Sequence, residues 1–188
     1  MKIRFLRVFA PLLCAGCISS APEEPRNWLI GPARVAESAA AEPKWESARI
    51  SRIDVCAPYD DRRLAVLRPD GSVAFDPFNA FAAAPSALLK EAAFETLSRS
   101  GYAKASVGAR SAAAASRSIE ITVTRLALDC RAEGRRDASV SLSAALVSGR
   151  DLVSFARAEA SAPTDGGDFT AAYSEAFCRA LSDALGRL

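Results

Sequence analysis

The chain contains no histidine, and that one absence removes Ser-His-Asp and Cys-His nucleophilic catalysis together with every histidine-ligated metal centre. Aromatic residues make up only 7% of it and methionine occurs once, so the core must come largely from small aliphatic side chains. No stretch approaches the run of about 18 apolar residues that a membrane-crossing helix needs. CxxC pairs are missing, and no GK[ST] follows Gly166-Gly167, so the usual zinc and phosphate-loop signatures are excluded. A dominant charge is lacking too: 24 basic and 22 acidic residues give a formal +2. Lys2, Arg4 and Arg7 fall in a segment expected to be cut away, which leaves 21 basic against 22 acidic residues, a net of −1. A near-neutral domain has no electrostatic footprint for nucleic acid. What remains is ordinary and globular: 188 residues, half of them hydrophobic and about a fifth alanine, enough for one domain.

The amino terminus holds the strongest pattern. A basic stretch from Lys2 to Arg7 runs into the apolar Val8-Phe9-Ala10-Pro11-Leu12-Leu13, the two leading regions of an export signal. That run is too short to span a bilayer, and Pro11 interrupts it. It ends in Leu13-Cys14-Ala15-Gly16-Cys17, small residues before a cysteine that resemble the lipobox of bacterial lipoproteins, with Cys14 where leucine is more usual. The resemblance makes residues 1–16 a lipoprotein signal peptide and Cys17 the mature amino terminus, its thiol diacylglyceryl-modified and its amine acylated. Three acyl chains exceed the two signals that stable anchoring takes. Ile18 is not the aspartate that keeps enterobacterial lipoproteins at the inner membrane, which points to the inner leaflet of the outer membrane, facing the periplasm. Residues 17–26 read as a polar, proline-bearing tether and residues 27–188 as a single domain.

Within that domain, Trp28-Leu29-Ile30 reads as a first strand and Ala33 to Trp45 as a connecting loop. Ile53 and Val55 alternate with Arg52 and Asp54, a half-buried strand that Pro58 ends. Leu64–Leu67 and Val73–Phe75 flank the turn Arg68-Pro69-Asp70-Gly71, a hairpin whose second arm Pro77 closes. A helix follows, capped by Ser86, with Leu89, Ala93 and Leu97 on one face and Gly101 as its stop. A weak strand is expected around Ala105–Val107. Ile119, Ile121 and Val123 alternate with polar residues, and then the phase slips by one to Leu126, Leu128 and Cys130, as a β-bulge would produce. Val140–Leu146 and Leu152–Ala158 form a further hairpin through Ser148-Gly149-Arg150-Asp151. Gly166-Gly167-Asp168 opens a last helix with a one-sided stripe of Phe169, Tyr173, Ala176, Phe177, Ala180, Leu181, Ala184 and Leu188. Strands, helix, strands, helix with hairpins dominant argue for an α+β two-layer sandwich, its sheet mostly antiparallel or mixed and both helices on one face.

These blocks, in this order after a lipobox, resemble the ABC-type transport auxiliary lipoproteins, outer-membrane partners of MCE-domain lipid-transport systems. The resemblance lies in Asn27-Trp28-Leu29-Ile30-Gly31-Pro32, in Ala57-Pro58-Tyr59-Asp60-Asp61 followed by Leu64–Arg68, and in Val73–Phe81 leading through Pro85 into the helix. The family usually shows tryptophan where this chain has Phe81, and alanines here replace a more polar spacer. The resemblance implies a fold like the amino-terminal domain of TolB. It also implies docking, as a homo-oligomeric ring in one arrangement, onto a periplasmic MCE protein that moves lipid between membranes. The alternative is a TolB-like structural lipoprotein that braces another envelope or secretion assembly. A hydrolase is disfavoured by the missing histidine.

Four features are candidate sites beside Cys17. Phe78 and Phe81, in a proline-bounded segment, either pin that segment to the core or dock a partner. Cys56 and Cys130 both sit at strand ends and are the favoured disulfide in an oxidising compartment, with Cys178 left as a free thiol on the flank of the last helix. Asp60 and Asp61 form a carboxylate pair beside Arg62 and Arg63, better read as a solvated charge cluster than as an acid–base couple. Arg131 to Asp137 is a mixed-charge hairpin loop that could meet anionic headgroups. Neither a metal nor another cofactor is expected.

Overall fold

A computed structural model describes residues 25–33, 42–164 and 167–188. The signal peptide, Cys17 and the tether up to Glu24 lie outside the described residues, as do residues 34–41 of the connecting loop. Among the described residues, eight strands and two long helices follow in the order β1 (Arg26–Trp28), β2 (Trp45–Val55), β3 (Arg63–Leu67), β4 (Val73–Phe81), α1 (Pro85–Arg99), β5 (Ala103–Ser106), β6 (Arg117–Asp129), β7 (Asp137–Ser148), β8 (Asp151–Pro163) and α2 (Phe169–Arg187).

The spine of the sheet is β6. One side of it pairs with β7 along its whole length, antiparallel, and β8 lies beyond β7. Its other side is shared. β2 runs parallel beside Arg117–Val123, with β5 outside it. β3 then takes over beside Ala127–Asp129, with β4 and finally β1 outside it. The hairpins expected from the sequence, β3–β4, β6–β7 and β7–β8, are antiparallel. The remaining pairings, β1–β4, β2–β5, β2–β6 and β3–β6, are parallel, so the sheet is mixed.

The slip of phase in β6 is real. Its register with β7 shifts between Val123 and Arg125, and Thr124 is the extra residue. The bulge keeps Ile119, Ile121 and Val123, then Leu126 and Leu128, on the one buried face. In β7 the same face carries Ala138, Val140, Leu142, Ala144 and Leu146. Both helices cover that face: α1 packs on β2 and β5, α2 on β7 and β8, and the two helices touch each other. Ala172, Ala176, Ala180 and Ala184 of α2 are fully or almost fully buried. Side chains this short let the helix approach the sheet, while Tyr173, Phe177, Leu181 and Leu185 fill the gaps beside them. This is the expected α+β two-layer sandwich.

The helix starts differ in chemistry. The Asp168 side chain accepts from the Ala171 N–H at 3.0 Å and caps α2. Ser86 does not cap α1. That helix begins at Pro85, which suits a first-turn position where no N–H is needed, and Ser86 falls inside the turn. Two strands also differ from expectation: β1 spans Arg26–Trp28, and β4 runs through Pro77 to Phe81.

Candidate docking site

Proline in a strand interior is tolerated only where the ladder is already broken, and β4 breaks it around Pro77. Ala65 of β3 pairs with Phe75 and Arg63 pairs with Ala80. β3 therefore advances two residues while β4 spends five, and Asp76-Pro77-Phe78-Asn79 is thrown outward. The loop is latched by one carboxylate. Asp76 Oδ1 accepts from the N–H groups of Phe78 at 2.8 Å and Asn79 at 3.0 Å, and its Oδ2 accepts from Asn79 Nδ2 at 3.0 Å. Asn79 Oδ1 in turn accepts from Trp28 Nε1 at 2.8 Å, and the Trp28 ring meets Phe169 of α2 edge-on at 5.1 Å. A chain of polar contacts thus ties the bulge through β1 to the helix layer.

Its product is the separation of two phenylalanines. Phe81, past the bulge, is 1% exposed and stands edge-on against Tyr173 at 5.4 Å. It is a core residue, and the expectation that it docks a partner is corrected. Phe78, on the bulge, is 46% exposed, close to where the chain enters the domain, and Leu29 just after β1 is exposed as well. Phe78 is the half of the predicted pair that remains available to a partner.

The cysteine pairing is also corrected. Cys56, Cys130 and Cys178 are all free. The Cys56 N–H donates to the Val123 carbonyl, whereas Cys130 follows the end of β6 beside Leu67. Seven positions along a strand separate the two by roughly 23 Å, far beyond the ~7 Å Cα limit for a bridge. Both do sit at strand ends, but beside different halves of β6. Cys178 is fully buried, and the Thr96 hydroxyl of α1 donates to its sulfur at 3.2 Å. The helix flank that carries it is the one that meets α1.

The charged loops are internally neutralised. Asp61 accepts from the backbone N–H of Arg63 at 2.8 Å and from its guanidinium at 2.8 and 3.2 Å. The Arg63 side chain, and then its N–H, hold that carboxyl down at about 2. Asp129 is held below the usual range chiefly by its hydrogen bonds with Arg131, and Arg135 pairs with Asp137 at 2.7 Å. Arg136 lies over the Phe169 ring at 5.9 Å. Tyr173 moves the other way: burial first, then the proximity of Cys130 and Asp76, raise its phenol, whose hydroxyl has no hydrogen-bond partner among the described residues. On the helix-free face, Arg125, Asp129, Arg131, Asp137, Ser139 and Glu159 border an open basin of about 280 Å³, in which Arg125 and Glu159 pair at 3.2 Å. Among the described residues no group of three or more His, Cys, Asp or Glu is placed to hold a metal ion. Sequence reasoning missed the Asp76 latch; its only trace was the Asp-Pro-Phe-Asn order.

The two-layer α+β architecture recurs in solved structures. A protein of Xanthomonas campestris assigned to the DUF330 family superposes with a TM-score of 0.59 at 18% identity, over 86% of this chain and 88% of its own. An uncharacterized protein superposes with a TM-score of 0.61 at 10% identity, over 87% of this chain and 95% of its own. At such identities the likeness is one of fold. No family model matches the chain, and no curated protein matches it.

Proposed function

We propose that this chain is a non-enzymatic lipoprotein, held by acyl chains on Cys17 in the inner leaflet of the bacterial outer membrane. There it serves as the auxiliary docking component of an ABC-type, MCE-linked system that moves lipid between the envelope membranes. The observation that carries the reading is the order Leu13-Cys14-Ala15-Gly16-Cys17, a polar tether, and then at once a folded domain. Residues 18–24 allow no more than about 30 Å between the acylated cysteine and Pro25, so the domain stays against its membrane. The DUF330-like fold agrees with the reading, as does Phe78, which the Asp76 latch holds out to solvent close to the tether. Output in this scheme is positional: confinement raises effective concentration, and the domain contributes contact surface rather than chemistry.

The test is fractionation with mass spectrometry. Wild-type chain is expected in outer-membrane fractions at high salt with a triacylated Cys17, and Cys17→Ala in the soluble periplasm. An unmodified mature terminus, or membrane retention of Cys17→Ala, overturns the anchor. Crosslinking of the lipidated chain should recover an MCE-domain protein, with less recovered from Phe78→Asp. Repeated failure to recover one overturns the transport role.

A further inference from the structure

A second exposed apolar patch lies at the other end of the sheet. Leu152, Val153 and Phe155 of β8 are 64%, 52% and 51% exposed, three large apolar side chains within four residues. Their exposure is built in. Leu146 pairs with Ser154 and Val147 with Leu152, so Val153 is an extra residue in β8, and this bulge leaves the adjacent Leu152 and Val153 both in water. Phe155 stands opposite Ala145 on the helix-free face.

The helix layer stops short of this patch. Arg187, the last residue of α2, donates from Nη1 to the Arg157 carbonyl at 3.1 Å, and Arg179 donates to the Ser161 carbonyl at 3.3 Å. Helix side chains therefore cover the backbone of β8 from Arg157 onward, while the β7–β8 tip protrudes beyond them. Around the tip stand Arg117, Arg150 and Arg157, none of which pairs with a carboxylate among the described residues. Arg157 lies over the Phe155 ring at 5.4 Å. Asp151 and Glu120 lie near the tip, and Glu159 and Asp183 share a groove with Arg157; the last two are already paired with Arg125 and Arg187, so the unpaired charge of the rim is positive.

The place where the tether enters bears on what covers this patch. Pro25 leads into β1, which pairs with Asn79–Phe81 of β4 on the half of the sheet beside Ala127–Asp129 of β6. The β7–β8 tip lies beside Ser118, nine positions away along β6, or about 30 Å. A lipid anchor at Cys17 thus attaches at the end of the sheet remote from the tip, which favours protein over acyl chains as the tip's occupant. A second copy would bring like-charged rims together. We propose that the β7–β8 tip is the docking surface for a protein partner that presents an apolar centre rimmed by carboxylates. The orientation rests on the lipid-anchor reading; the patch itself does not.

The experiment places a photocrosslinking phenylalanine analogue at Val153 of the full-length chain in cells, with Glu175 on the exposed face of α2 as control. One heterologous protein is expected at Val153 and not at Glu175. The purified pair should bind more weakly as salt rises, and Leu152→Ser and Phe155→Asp should each weaken it by about tenfold or more, with unchanged circular dichroism. Crosslinks to lipid, to a second copy alone, or no more than at Glu175 overturn the proposal, as does binding indifferent to both variants. Repeating the crosslink with Cys17→Ala separates the two readings. A partner that still crosslinks at Val153, in a chain whose wild type carries no lipid, leaves the patch standing and removes the anchor. An acylated wild type without a partner at Val153 does the reverse.

Discussion

Truncating Phe81 and Phe78 separately puts the bulge of β4 to a quantitative test. Phe81 is 1% exposed and packs edge-on against Tyr173, itself fully buried. Phe81→Ala removes a ring from a site closed by β1, β4 and α2 and leaves a cavity behind, which costs about 3–5 kcal/mol. For a chain of this size that lowers the melting temperature by about 6–20 °C, a large part of a typical total stability of about 5–15 kcal/mol. Phe78→Ala removes the same ring from the solvent side of the bulge. Being 46% exposed, it should cost less than about 1 kcal/mol. The measurement is urea unfolding of the unlipidated Cys17→Ala chain, followed by the fluorescence of Trp28 and Trp45, with each phenylalanine variant made in that background. Equal losses for the two variants, or a Phe81→Ala chain within 1 kcal/mol of its parent, would refute the bulge and the burial that follows from it.

Two further outcomes follow from the chemistry of the side chains. Cys56 is exposed and Cys130 half-buried, both free, so a thiol reagent should label both in the native, unreduced protein, while Cys178 reacts only on unfolding; a disulfide-linked peptide joining residues 56 and 130 would contradict the strand positions. The Asp61 carboxyl is depressed to about 2 in the fold by Arg63, against about 3.9 in an unfolded chain. A depressed carboxylate stabilises the fold above its unfolded value and loses that contribution as pH falls through its folded one, so the loss falls between about pH 4 and pH 2. Asp61→Asn should flatten the acid limb of the stability curve in that window by lowering neutral stability while leaving stability near pH 2 unchanged, an effect kept small because the pair is exposed; an unaltered acid limb would show that Asp61 is not held by Arg63.

Much of this fold could be read from local pattern, and the exceptions share a cause. The slip between Val123 and Leu126, the alternation of β7 and the stripe of α2 are each written within a dozen or so residues, and each is present. Pro77 misled because proline ends a strand that needs its ladder, yet here it sits in a loop thrown out between two ladder contacts, at Phe75 and Ala80. The parallel pairings of β2 and β3 with β6 join segments some 60 residues apart and leave no local trace. That shared flank of β6 is also what separates Cys56 from Cys130. Phe78 and Phe81 are the same residue type three positions apart, and only the register of β3 against β4 assigns one to solvent and the other to the core.

A lipid anchor changes how strong a docking patch has to be. Residues 18–24 can span no more than about 30 Å, so an anchored domain would sample a thin layer beside its membrane rather than the whole periplasm. A partner confined to the same layer would meet it at a higher effective concentration than in free solution, so that a contact of modest affinity could be occupied. Leu152, Val153 and Phe155 with a basic rim suit such a contact: three half-exposed side chains are too few for a nanomolar interface, which needs a buried cluster of aromatic or arginine anchors, yet they suffice where confinement supplies the rest. In that scheme a near-neutral domain would need no long-range attraction: confinement would take its place, and the arginines around the β7–β8 tip would set orientation and the choice of partner.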